Sequence, residues 1–155
     1  MSAWRREAIR LLPEHATEIR KAENPYDLWI SILMWFNAAY NAADPGRIVK
    51  RIYEYLWWTR RQPRQSSADS DLYTAAACCF VEHIPDHPKA RLDMPRWWTR
   101  ASVLEHADVF RYWLGDDGLT ALLQEVFPDE RGDELKRPRA KGSSQHKLRR
   151  LTRPT

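Results

Sequence analysis

The longest apolar run of the chain, LWISILMWFNAAYNAA at residues 28–43, lies between two pairs of Asx and proline. Asn24-Pro25 precedes the run and Asp44-Pro45 follows it. Such a pair is typical of a helix start, because the Asx side chain caps free backbone N–H groups and proline already has a helical φ. The pattern predicts helices at about 25–42 and 45–62. No membrane span is expected, because the run of 16 residues is shorter than the roughly 18–20 residues that cross a bilayer.

Helical signals continue along the chain, and the alternation of apolar and polar residues that is typical of strands is absent. Ser2 is expected to cap a first helix, and Asp69 or Ser70 to cap a later one. The three prolines of residues 84–95 exclude a continuous helix there. The later helices are predicted at about 70–84, 96–114 and 117–127, the last two separated by Gly115 and Gly118. Residues 1–128 are therefore predicted to form a single compact all-α domain of five to six helices, either a bundle or a short stack of helical hairpins.

Aromatic side chains supply much of the area that such a domain has to bury. The chain has eight Trp, six Tyr and four Phe, and each aromatic side chain buries roughly 150–250 Å². We therefore expect a core that is rich in rings. The first residues, MSAWRREAIRLL, lack the apolar run of a secretion signal, and Cys78 and Cys79 are adjacent and poorly placed to pair with each other. A reducing, cytoplasmic setting is expected.

Positive charge is concentrated near the end of the chain. Residues 135–155 hold 8 of the 25 Lys and Arg and none of the 21 Asp and Glu. Residues 1–134 are left with a formal charge of −4, which suits a basic protein partner. Residues 129–155 lack apolar periodicity and are predicted to be a disordered tail. Its cations would attract nucleic acid, and the candidate contacts are Lys136, Arg137, Arg139, Lys141, Lys147, Arg149 and Arg150.

The tetrapeptide Trp-Trp-Thr-Arg occurs twice, at 57–60 and at 97–100. In the second copy Trp97, Ala101 and Leu104 would share one face of a helix, so Trp97 is predicted to lie in the core. In the first copy the apolar face of the helix runs through Ile48, Ile52, Tyr55, Leu56 and Thr59. Trp57 lies nearly opposite that face, so helical phase alone does not assign it to the core.

Two interpretations of Trp57 follow from this position. Its helix is either central, with packing on both sides, or it presents an aromatic and basic surface to a partner. Trp and Arg are the residues that most often anchor protein interfaces, and they also stack on unpaired bases. The candidate partner-binding residues of the second interpretation are Lys50, Tyr53, Trp57, Arg60 and Arg61.

Residues with catalytic or metal-binding chemistry form no convincing set. Cys79, His83 and His87 have the spacing C-x₃-H-x₃-H, but Pro85 separates the histidines and a fourth ligand is missing. The paired carboxylates Asp116-Asp117, Asp129-Glu130 and Asp133-Glu134 are interpreted as a helix cap and polar segments. Phosphate-binding glycine loops and the H-E-x-x-H motif are absent. We expect no enzyme activity, no metal and no cofactor; an enzyme built around Cys79, His83 and His87 is the least favoured interpretation.

The order of features between about residues 5 and 127 resembles that of small uncharacterised all-helical bacterial domains. The stretches ENPYDLWISI, IVKRIYEYLWW, AAACCFVEHI and LEHADVFRYWLG carry the resemblance. It implies an all-α fold and transfers no catalytic residue. The expected function is a non-enzymatic interaction module of the bacterial cytoplasm, either an adaptor or an immunity-like protein, whose partner is another protein. The alternative is a nucleic-acid-associated protein that uses the tail and the surface of Trp57, Arg60 and Arg61.

Overall fold

The computed structural model describes residues 1–67 and 71–128, which contain eight α-helices and no β-strand. The helices are α1 (Ala3–Leu11), α2 (Ala16–Lys21), α3 (Pro25–Asn41), α4 (Gly46–Arg60), α5 (Leu72–Cys79), α6 (Pro88–Asp93), α7 (Arg100–Glu105) and α8 (Ala107–Val126). Short 3-10 helices occur at Pro13–His15, Val81–Asp86 and Met94–Arg96. The predicted all-α class is confirmed. The predicted number of five to six helices is wrong, because α2, α6 and α7 have only six residues each and leave little periodic pattern.

The pair Asn24-Pro25 begins a helix as predicted, whereas α4 begins one residue after the pair Asp44-Pro45, with Pro45 in the N-cap position. Asn24 accepts a hydrogen bond from the Asp27 N–H at 3.1 Å, and α3 begins at Pro25. Asp44 accepts from the Gly46 N–H at 3.2 Å, where α4 begins. In the part of the chain that the structure describes, no helix is long and apolar enough to cross a membrane.

The cap of α5 differs from the prediction. Asp71 accepts hydrogen bonds from the Thr74 N–H at 2.7 Å and from the Gln65 N–H at 2.9 Å. A carboxylate that accepts backbone N–H groups on both sides of a turn fixes the direction in which the helix leaves the loop. The predicted caps Asp69 and Ser70 lie outside the described residues, as does the predicted tail at 129–155.

Aromatic rings form the centre of the core, where α3, α4 and α5 meet. Phe80 follows α5, and its ring centroid lies 5.0 Å from Phe36, 5.3 Å from Trp29 and 6.3 Å from Tyr53. All four residues are fully buried or nearly so. The rings meet edge to face or tilted, which is the arrangement that aromatic quadrupoles favour. The expected ring-rich core is therefore present.

The predicted helix at 96–114 begins too early. Thr99 and Ser102 form a capping box: the Ser102 N–H donates to Thr99 Oγ1 at 3.1 Å, and the Thr99 N–H donates to Ser102 Oγ at 2.9 Å. α7 therefore begins at Arg100. Trp97 precedes the helix, so its predicted helical face does not exist. Ala101 and Leu104, the other members of that face, are exposed.

A kink at Gly115 divides α8. Its φ of 73° and ψ of 175° lie in a region that is essentially restricted to glycine. The break that the sequence predicted near Gly115 is thus present, although the two helical segments are continuous with each other. A Cβ at Gly118 would lie 2.9 Å from Leu114 Cβ, so the turn after the kink also needs a residue without a side chain. The first half of α8 carries the exposed residues Asp108 and Tyr112 and the half-buried Val109.

Candidate functional site

The two Trp-Trp-Thr-Arg copies lie against each other in the structure. The ring of Trp57, from α4, meets the ring of Trp98 edge to face at a centroid distance of 5.1 Å. Trp98 is only 2% exposed and also contacts Phe110 of α8 at 5.7 Å. The contact joins α4 to the segment between α6 and α7. The repeated tetrapeptides therefore contribute to one structural feature.

A row of rings and guanidinium groups includes Trp57 and runs beside its contact with Trp98. The Arg96 guanidinium carbon lies 5.0 Å from the centroid of the Trp97 ring. Trp97 stacks on Tyr53 at 4.8 Å and 16°, and Tyr53 faces Trp57 at 6.4 Å and 23°. The Arg60 guanidinium carbon lies 6.0 Å from the Trp57 centroid. We call Arg96, Trp97, Tyr53, Trp57 and Arg60, in this order, the arginine–aromatic ladder.

The ladder is held at both ends by other parts of the chain. The Arg60 guanidinium donates to Glu105 Oε2 at 3.0 Å, which links α4 to α7. The Trp97 indole N–H donates to Asp93 Oδ2 at 2.9 Å, and this oxygen also accepts from the Tyr40 hydroxyl at 2.8 Å. Aromatic pairs add about 0.5–1.5 kcal/mol beyond area burial, and exposed cation–π pairs about 0.5–1 kcal/mol. The geometry is thus set before any partner arrives.

The five predicted partner-binding residues divide into two groups. Lys50, Arg60 and Arg61 are exposed, and Trp57 is half-buried. Tyr53 is only 1% exposed, so its prediction as a contact residue is wrong. Trp97 covers the side of Tyr53 that faces away from the core of α3 and α5. α4 is therefore packed on two sides, and Trp57 keeps part of its surface open at the edge of that packing.

Sequence reasoning missed Arg96 and Trp97 as members of this surface. Trp97 was placed in the core on a helical face that the structure does not contain, whereas the buried tryptophan of the second copy is Trp98. Trp97 is half-buried and Arg96 is exposed. The adjacent pair Arg96-Trp97 is itself a signal for a cation–π contact, and it was visible in the sequence.

Two buried polar atoms lie behind the ladder. The Tyr53 hydroxyl and the Trp98 indole nitrogen lie close enough to each other for a weak contact, and neither forms a hydrogen bond of normal geometry. Burial raises the pKa of Tyr53 well above its usual range, so its hydroxyl stays protonated at neutral pH. A buried polar group without a partner opposes folding. The rings of this region are therefore fixed by stacking and burial more than by hydrogen bonds.

The three residues of the predicted C-x₃-H-x₃-H pattern have different surroundings in the structure. Burial, followed by the neighbouring Cys78 and Glu82, raises the pKa of the Cys79 thiol to about 11, so it is protonated at neutral pH. His83 Nδ1 lies 3.0 Å from Asp86 Oδ2, and His87 Nε2 lies 3.4 Å from Asn41 Oδ1. Within residues 1–67 and 71–128, no group of three or more His, Cys, Asp or Glu is placed to hold a metal ion.

Of the remaining polar candidates, Asp116 is paired and most of the others lie outside the described residues. Asp116 accepts from Arg111 Nε at 2.7 Å, and Arg111 also donates to Asp108 at 2.7 Å. These bonds make Asp116 part of a surface ion-pair network. The pairs Asp129-Glu130 and Asp133-Glu134 lie outside the described residues. So do the tail cations predicted for nucleic acid: Lys136, Arg137, Arg139, Lys141, Lys147, Arg149 and Arg150.

Comparison with protein-family models, with curated proteins and with solved structures finds no match to the chain. The resemblance to small all-helical bacterial domains therefore stays a prediction. Any functional proposal has to be argued from the geometry of the ladder and its surroundings.

Proposed function

We propose that the chain is a non-enzymatic protein-interaction module that binds an acidic segment of another protein on the arginine–aromatic ladder. The observation that carries the proposal is the half-buried pair Trp57 and Trp97, flanked by the exposed guanidinium groups of Arg60 and Arg96. An adaptor or an immunity-like module of the bacterial cytoplasm would act through a surface of this kind. The proposal replaces the basic partner expected from the net charge of residues 1–134.

Local charge favours an acidic partner. Glu54 lies 3.8 Å from Lys50, and Glu105 pairs with Arg60. Among the described residues, Arg61 and Arg96 form no ion pair. The surface therefore offers two uncompensated guanidinium groups next to aromatic rings. Carboxylates bind guanidinium groups in a bidentate geometry, and such charge-assisted hydrogen bonds are about twice as strong as neutral ones.

Preorganisation favours binding at this surface. Trp57 and Trp97 are fixed by Trp98, Tyr53 and Asp93, so their rings lose little rotamer freedom when a partner covers them. Each freely rotating side chain that binding immobilises costs about 0.5–1.5 kcal/mol. Interface hot spots are enriched in Trp and Arg that sit in such supported positions. The ladder combines both features.

A peptide selection tests the proposal. The full chain is immobilised and selected against a displayed library of random peptides, and the peptides obtained are measured by fluorescence anisotropy. The expected peptides contain Asp or Glu next to an apolar residue. Their affinity falls at least about tenfold in the variant Arg61→Glu/Arg96→Glu. The matched control is Arg20→Glu/Lys21→Glu, which reverses two exposed charges on α2 and leaves the affinity unchanged.

Two outcomes would overturn the proposal. The first is a set of selected peptides that lack acidic residues or bind the two variants equally. The second is binding of an oligothymidylate to the wild type that Arg61→Glu/Arg96→Glu abolishes, with no acidic peptide selected. That result would favour the nucleic-acid function, because half-exposed Trp rings beside Arg also stack unpaired bases. A steep loss of oligothymidylate affinity with salt would accompany it.

A further inference from the structure

A groove between α5 and α8 is formed by residues that the ladder does not use. It has a volume of about 320 Å³. Its lining residues come from the end of α5, the following 3-10 helix and the first half of α8: Ala77, Cys78, Glu82, Asp108, Val109 and Tyr112. We call it the α5–α8 groove. Its walls are apolar, and two of the residues that line it, Glu82 and Asp108, carry carboxylates.

The rim of the groove exposes large aromatic side chains. Tyr112 is 83% exposed and Trp113 is 50% exposed. The Trp113 indole N–H donates to Asp86 Oδ1 at 2.9 Å, and its ring lies edge to face on His83 at 4.5 Å. Trp113 is thereby fixed, whereas Tyr112 points into solvent. Exposed aromatic rings beside an apolar groove mark a surface that another chain segment covers.

The charge of this face is negative. α8 contains four acidic residues and one arginine; Arg111 is shared by Asp108 and Asp116, and Glu125 pairs with Arg91 of α6. Glu82 lines the groove and is only 8% exposed. Its carboxylate lies 3.4 Å from His83 Nε2, and burial raises the pKa of Glu82. The Asp108 side chain is 98% exposed and pairs with Arg111 at 2.7 Å, so its negative charge lies at the open edge of the groove.

The chain itself contains a segment with the complementary chemistry. Residues 135–155 hold eight Lys and Arg, no acid and three leucines. The leucines match the apolar floor of the α5–α8 groove, and the cations match its carboxylates. The ladder surface, by contrast, is basic, so this segment is repelled there. Charge complementarity of this kind selects one docking face over another.

The chain between α8 and the basic segment is also long enough for that segment to reach the α5–α8 groove. From Tyr112 to Val126 α8 spans at most about 21 Å at 1.5 Å per residue, and the kink at Gly115 shortens that distance. The residues from 129 to 135 bridge up to roughly 23–25 Å when extended. The residues between 128 and 135 are therefore enough to bring the basic segment to the groove. We propose that residues 135–155 bind the α5–α8 groove of the same molecule.

Carbodiimide cross-linking of the full chain tests this proposal. The reagent joins a lysine amine to a carboxylate only when the two groups are in contact. The expected products link Lys136, Lys141 or Lys147 to Asp108, Asp116 or Asp117, within the monomer, and they decline in high salt. Links spread equally over exposed acids elsewhere, such as Glu18 and Glu23 on α2 and the following loop, would overturn the proposal. Links confined to cross-linked dimers would also overturn it.

Two variants sharpen the test without removing any cross-linking group. Arg149→Glu/Arg150→Glu keeps the three lysines and leaves the groove intact. Tyr112→Ser removes an exposed ring from the rim. Each should lower the yield of the α8 links by about tenfold or more if both charge and apolar contact hold the segment. The matched control is Met34→Ser, which removes a 67% exposed apolar side chain from α3 and should leave the yield unchanged.

Cys78 provides a second readout inside the groove. It is exposed and lines the α5–α8 groove. In a Cys79→Ser background, iodoacetamide should alkylate Cys78 several times faster in Arg149→Glu/Arg150→Glu than in the parent chain, since the groove would be uncovered. Equal alkylation rates would contradict occupancy by residues 135–155. Neither experiment depends on the ladder, so the proposed function and this inference fail independently.

Discussion

The two Trp-Trp-Thr-Arg copies have the same four residues and different structures. Trp57–Arg60 form the last turn of α4, whereas Trp97–Arg100 pass from a 3-10 helix into the first turn of α7. Thr59 is 1% exposed in the interior of the fold, and Thr99 is exposed and caps a helix. Trp98 is fully covered, while its counterpart in the first copy is half-buried. The tetrapeptide thus has no structure of its own.

The flanking residues explain the difference. Pro63 follows the first copy by three residues, and Pro95 precedes the second by two. A proline disfavours the helical conformation of the residue before it, which fits the end of α4 shortly before Pro63. Met94 is helical before Pro95 all the same, and the second copy follows a 3-10 helix. Ser102 then completes a capping box with Thr99. Gln62, in the corresponding position of the first copy, instead donates to the Trp58 carbonyl at 3.1 Å.

The largest difference between the copies is expected at their second tryptophan. Trp98→Ala removes a 2% exposed ring that contacts Trp57 and Phe110. Such a cavity in a core costs about 3–5 kcal/mol of unfolding free energy. Trp58→Ala removes a half-buried ring that stacks on Tyr55 at 5.8 Å and should cost less than half as much. Urea denaturation of the two variants measures both values, and equal losses would show that both rings are core.

The threonines should differ by a smaller amount. Thr99→Val removes the cap of α7 and should lower the unfolding free energy by about 1 kcal/mol. Thr59→Val keeps the volume of a buried side chain whose hydroxyl forms no hydrogen bond of normal geometry and makes only a weak contact with Tyr55. It should leave the stability unchanged or raise it slightly. Thermal denaturation of both variants provides the comparison, and a larger loss in Thr59→Val would refute the assignment of roles.

Local signals predicted the first half of the fold better than the second. The bounds of α3 and α4 follow from Asx-Pro pairs, and each bound is within two residues of its prediction. The start of α7 was missed because a capping box overrode the apolar phase of Trp97. The burial of Tyr53 results from a ring that is distant in sequence, so its own helix does not reveal it. Lys50, Arg60 and Arg61 were correctly placed on the surface because their exposure follows from helical phase alone.

The ion pair of Arg60 should contribute less to the unfolding free energy than the helix cap formed by Thr99. Arg60 contacts Glu105 at 3.0 Å, with side chains that are 41% and 61% exposed. A double-mutant cycle of Arg60→Ala and Glu105→Ala should give a coupling energy of about 0.2–1 kcal/mol, since solvent screens exposed pairs. The coupling should decline as salt is added. A coupling that is large and independent of salt would show that the pair is more buried than its exposure indicates.

The smallest expected effect concerns the residue that joins the two copies. Tyr53 stacks on Trp97 and faces Trp57, but its buried hydroxyl makes only a weak contact with the Trp98 indole nitrogen. Tyr53→Phe keeps the ring and removes that hydroxyl, so the unfolding free energy should stay equal or rise by up to about 1 kcal/mol. Tyr55→Phe is the matched control on the same helix, because the Tyr55 hydroxyl donates to the Trp4 carbonyl at 3.2 Å. That variant should lose about 0.5–1.5 kcal/mol. If Tyr53→Phe were the more destabilising of the two, the ladder would depend on a hydrogen bond rather than on stacking.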